Sequence, residues 1–90
     1  MSAGEKAKWQ VRLRSRLVRW ELDRLGGEEY RKVMQTLKSL AVNPQPSGCE
    51  KILDQIYHVR IGDVIITYCI DELRKQIDVG AVRRLSTKTF

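Results

Sequence analysis

The chain has 90 residues, with 17 Lys and Arg against 11 Asp and Glu, a net charge of +6 at neutral pH. A single domain of this length buries only about 60 to 65% of its unfolded surface, which excludes a large internal pocket and places any chemistry on an exposed face. The cation excess favours a polyanionic or acidic partner: RNA, DNA, an acidic protein or an anionic membrane.

The opening "MSAGEKAKWQ" lacks the apolar core of a signal peptide, and no window approaches the roughly 18 apolar residues of a membrane span. A cytoplasmic protein without membrane attachment is expected. Residues 1–7 precede any pattern and read as a flexible N-terminus of a domain spanning 1–90. In "KWQVRLR", Trp9, Val11 and Leu13 share one face while Arg12 and Arg14 share the other, the period of a strand with one dry side. Ser15 offers an N-cap, and Val18, Leu22 and Leu25 recur at helical spacing before Gly26 and Gly27 end the helix. Trp20 points off that stripe. It is a candidate anchor for a partner, although partial packing against a loop accounts for it equally well.

A second helix begins near Glu28, where two carboxylates suit the positive end of the helix dipole. Its stripe of Tyr30, Val33, Met34, Leu37, Leu40 and Ala41 reads as core. "NPQPSGCEKI" is a turn-rich loop, because Pro44 and Pro46 cannot continue a helix. The pattern then alternates strictly. Tyr57, Val59 and Ile61 face one way, His58 and Arg60 the other, and Gly62-Asp63 turns the chain into Val64, Ile66, Tyr68 and Ile70. "DELR" makes a second turn before a last strand, "KQIDVGAV", and the basic end "RRLSTKTF". The expected fold is α+β with the order β-α-α-β-β-β. A helical hairpin covers one face of a mostly antiparallel four-stranded sheet, and the first-strand cations gather with His58, Arg60, Arg83 and Arg84 on the open face.

His58 has no second nitrogen or sulfur ligand spaced to share a metal, and no cofactor motif is present, so neither a metal nor a cofactor is expected. Cys49 and Cys69 are isolated and read as reduced structural thiols. On charge alone, Arg60, Arg83 and Arg84 serve equally well as edge-strand cations that discourage sheet-to-sheet aggregation.

The ordered set of a first strand, a helical hairpin, "PQPSG", "YHVR", a "GD" turn, "YCID", then "VG" followed by paired arginines resembles the RelE/ParE superfamily of toxin–antitoxin toxins. The resemblance implies a small bacterial toxin neutralised by an acidic cognate antitoxin that wraps it. In the RelE branch it further implies an endoribonuclease that cuts mRNA on the ribosome. In the ParE branch it implies a non-catalytic inhibitor of DNA gyrase, and a decayed member would keep antitoxin binding alone. Carried over by position, the catalytic candidates are His58, Arg60 and Arg83 or Arg84. Charge makes Arg12, Arg14, Arg60 and Lys88 the candidate nucleic-acid contacts, and its place off the helical stripe makes Trp20 the candidate antitoxin contact. His58 is the natural base, since an unperturbed imidazole titrates at about 6.5. Three positions depart from the family: Val64 stands where an aromatic is common, Ile65 where arginine is common, and Ser86 or Thr87 where a tyrosine is often found.

Overall fold

The computed structural model describes residues 8–85. The elements run β1 (Gln10–Leu13), α1 (Arg16–Asp23), α2 (Gly27–Leu40), β2 (Glu50–Leu53), β3 (Ile56–Ile61), β4 (Val64–Asp71) and β5 (Gln76–Arg84). The strands form one sheet in the order β1-β5-β4-β3-β2. β1 runs parallel to β5, and the other three pairings are antiparallel.

The expected four-stranded sheet is corrected to five strands. The addition, β2, lies in the "EKI" end of the segment read as loop. All four of its residues are exposed, so it carries no alternation of dry and wet positions to mark it. Pairing with β3, with Glu50 opposite His58 and Lys51 opposite Tyr57, holds it at the sheet edge.

Both helices cover one face. Val18 and Leu22 of α1 and Val33, Leu37 and Leu40 of α2 are buried against Val59, Val64, Ile66, Tyr68, Ile70, Ile77, Val79 and Val82 of the sheet. Apart from Val82, these are the positions that the 3.6-residue and two-residue periods select. Ser15 occupies the N-cap of α1 with an extended backbone but makes no side-chain cap bond. Glu28 and Glu29 lie in the first turn of α2 and Lys38 in its last, each sign opposed to the local helix dipole. No helix among the described residues is long and apolar enough to cross a membrane.

Two details fix the open face. The Tyr68 hydroxyl donates to the Pro44 carbonyl at 2.7 Å, tying the proline loop to the central strand. In β5, Val79 pairs with Tyr68 but Ala81 pairs with Thr67, which leaves Gly80 as the extra residue of a β-bulge. The bulge shifts the alternation by one: Ile77, Val79 and then Val82 point into the core, and Arg83 is placed outward.

Candidate functional site

The face opposite the helices is built in cross-strand rows. One row runs Arg60 (β3), Ile65 (β4), Arg83 (β5). The next runs Glu50 (β2), His58 (β3), Thr67 (β4), Ala81 (β5). A third runs Ile56, Cys69, Asp78 and then Arg12 of β1. Residues directly opposite one another on adjacent strands hold their Cβ atoms about 4.5 to 5.5 Å apart. His58 and Arg60 therefore sit on one surface with Thr67 and Ile65 beside them.

Arg14 reaches this surface from the end of β1. Its amide donates to the Val79 carbonyl at 2.9 Å, and its guanidinium lies over Gly80, where an added Cβ would meet Nη1 at 3.6 Å. A bare glycine at the bulge leaves room for that side chain to cross β5. Arg14, Ile65, Thr67, Ala81 and Arg83 line a shallow open groove of about 430 Å³.

The cations differ in how they are held. Arg60 Nε donates to the Gly62 carbonyl at 2.8 Å, Asp63 lies 4.0 Å from Nη2, and the side chain is mostly exposed. Gly62 has φ +60, a left-handed conformation that glycine adopts without steric cost and that closes the hairpin under Arg60. Arg83 Nε donates to Glu21 of α1 at 3.2 Å. His58 Nε2 is 2.9 Å from Glu50 Oε1, and the ring remains partly accessible. A half-exposed imidazole beside arginine guanidiniums has the parts that phosphodiester chemistry needs: a proton acceptor and fixed positive charge.

No protein-family model matches the sequence, and no curated protein does. Solved structures do match. The RelE–RelB complex from the archaeon Pyrococcus horikoshii aligns over 90% of this chain and 99% of that chain, with a TM-score of 0.76 and 18% identity. The isolated Escherichia coli RelE toxin aligns over 89% and 87%, with a TM-score of 0.77 and 11% identity. The toxin–antitoxin complex RelBE2 of Mycobacterium tuberculosis aligns over 90% and 97%, with a TM-score of 0.72 and 17% identity.

The chain has a RelE-like fold. Within it the candidate residues separate. His58, Arg60 and Arg83 share the open face with Arg12 and Arg14, whereas Arg84, opposite the buried Val64, lies on the helix side and pairs with Glu29 of α2. The expected gathering of four catalytic candidates on one face is thus a gathering of three. Ile65 stands between Arg60 and Arg83. Trp20 is 54% exposed, with the Arg24 guanidinium 4.7 Å from its ring centroid. Lys88, Ser86, Thr87 and Phe90 lie outside the described residues. Glu50 was the residue that periodicity passed over, because it precedes the first clear alternation and only strand pairing carries it to His58.

Proposed function

We propose that this protein is the toxin of a toxin–antitoxin pair and that it cleaves mRNA on the ribosome in the cytoplasm. The observation that carries this reading is His58 and Arg60 on the open face of a RelE-like sheet, beside a groove framed by Arg14 and Arg83. His58 accepts the proton of the ribose 2′-hydroxyl as O2′ bonds to phosphorus. The bond from phosphorus to the 5′-oxygen breaks, that oxygen takes a proton from water, and a 2′,3′-cyclic phosphate remains. Arg60, Arg83 and Arg14 hold the phosphate oxygens as negative charge builds, and Arg12 extends the basic track for the RNA backbone.

The partner is an acidic antitoxin. Two of the structural neighbours are complexes by name, RelE–RelB and the toxin–antitoxin complex RelBE2. An apolar groove of about 480 Å³ between β1 and the helices, lined by Val11, Leu13, Leu22, Met34 and Leu37 with Arg19 and Lys38 at its rim, suits an amphipathic acidic segment. Trp20 adds an exposed aromatic on α1.

One observation favours a second reading, a non-catalytic inhibitor of DNA gyrase or a member that only binds its antitoxin. The centre of the arginine row is the aliphatic Ile65, and Arg84 is turned to the other face. The experiment that decides is induction in a bacterial host, with translation and DNA synthesis followed in parallel and transcripts mapped for cuts. Translation that stops first, with cuts in translated mRNA that vanish in Arg60→Ala, supports the ribonuclease. DNA synthesis that stops first, with intact mRNA, supports gyrase. Arg60 is exposed, so its removal should change stability by no more than about 0.5 kcal/mol.

A further inference from the structure

Glu50 and His58 face each other across the β2–β3 pairing, with Oε1 2.9 Å from Nε2. Strand pairing projects both side chains from the same face at one register position, so the contact does not depend on a long side chain searching from elsewhere. An ionised carboxylate only accepts hydrogen bonds. The proton between the two groups is therefore the imidazole's, on Nε2, and in the neutral ring the lone pair is left on Nδ1. His58 makes no other side-chain hydrogen bond among the described residues.

We propose that Glu50 is the positioning residue for His58: it fixes the ring orientation and the Nε2–H tautomer so that Nδ1 is the nitrogen that takes the 2′-hydroxyl proton. This rests on the ribonuclease reading for its catalytic consequence but not for its structural content. When Nδ1 accepts the proton, the imidazolium that forms already faces a carboxylate. The proton then leaves Nδ1 to water, and the ring returns to its starting tautomer. Glu50 itself touches neither the 2′-oxygen nor the phosphate and exchanges no proton.

The chain contains one histidine, so a ¹⁵N-detected NMR spectrum reports this ring alone. With the ring neutral, the wild type should show the Nε2–H tautomer almost exclusively. Glu50→Gln, which keeps an accepting oxygen, should retain it. Glu50→Ala should relax to a mixture of both tautomers while its thermal unfolding stays at the wild-type value, because the Glu50 side chain is exposed. Cleavage of translated mRNA should fall about 100-fold in Glu50→Ala, the low end of what a positioned base contributes, and much less in Glu50→Gln. An Nδ1–H tautomer in the wild type, or an unchanged tautomer in Glu50→Ala, overturns the positioning role whatever the activity. A tautomer shift with unchanged cleavage overturns its part in the reaction. A tautomer shift in a protein whose wild type cuts no RNA upholds the positioning and removes the ribonuclease reading instead.

Discussion

Arg83 Nε donates to Glu21 Oε2 at 3.2 Å across 62 residues of chain, while the other oxygen of the same carboxylate accepts the Val82 amide at 3.0 Å. β1 ends at Leu13, opposite Val79, so the backbone of β5 beyond that point has no strand on this side. Glu21 stands in for the missing strand. Glu21→Ala leaves a part-buried amide without a partner and should cost about 1 to 3 kcal/mol. Glu21→Gln keeps an acceptor and should cost less. Urea unfolding of the two variants checks the order.

Tyr68 ties the centre of the sheet to the proline loop. Tyr68→Phe deletes the hydroxyl that serves the Pro44 carbonyl and should cost about 0.5 to 1.5 kcal/mol. Burial, with a smaller contribution from Cys49, pushes the Tyr68 hydroxyl far above its ordinary value of 10.0. The folded state thus holds this proton more tightly than the unfolded one. Its contribution is complete below pH 10 and declines as the unfolded chain ionises above that. The wild type should lose stability faster than Tyr68→Phe as the pH rises above 10.0, a difference that cancels the lysines common to both.

Ile65 lies between Arg60 and Arg83 in one cross-strand row. Ile65→Arg places a third guanidinium where the ribonuclease proposal puts the developing phosphate charge, and a single preorganised donor is typically worth 10²- to 10³-fold in rate, about 2.7 to 4 kcal/mol. Cleavage on translating ribosomes should rise in this variant. No rise in a folded Ile65→Arg protein counts against the ribonuclease and for the non-catalytic reading.

Association with the proposed antitoxin should separate into two contributions. Raising salt should slow association steeply, because the rim and the open face are basic and screening removes their steering. Trp20→Ala should instead speed dissociation with little change in association rate, since a desolvated aromatic acts after encounter. Surface-binding kinetics at several salt concentrations check both. An association rate indifferent to salt, with a Trp20 variant that dissociates normally, would remove this picture of the interface.

Several features of this protein follow from local pattern. The two-residue alternation of "YHVRIGDVIITYCI" determines the β3–β4 hairpin, its dry face and the outward position of His58 and Arg60, because a strand buried on one side admits one register. The helical stripe containing Val33, Leu37 and Leu40 similarly determines which side of α2 meets the sheet. Trp20 off its stripe reads as exposed from spacing alone, and it is.

Other features depend on partners distant in sequence, and only the tertiary structure decides them. β2 has no period to read and exists because β3 offers it a free edge, and with it comes the contact between Glu50 and His58. Uninterrupted alternation from Ile77 and Val79 would turn Arg83 inward and Arg84 outward. The bulge at Gly80, set by pairing with β4, reverses them, leaving Arg83 on the open face and Arg84 with Glu29. Sequence supplies the arginine pair, but a single unpaired residue in a long-range ladder decides which of the two lies on the open face.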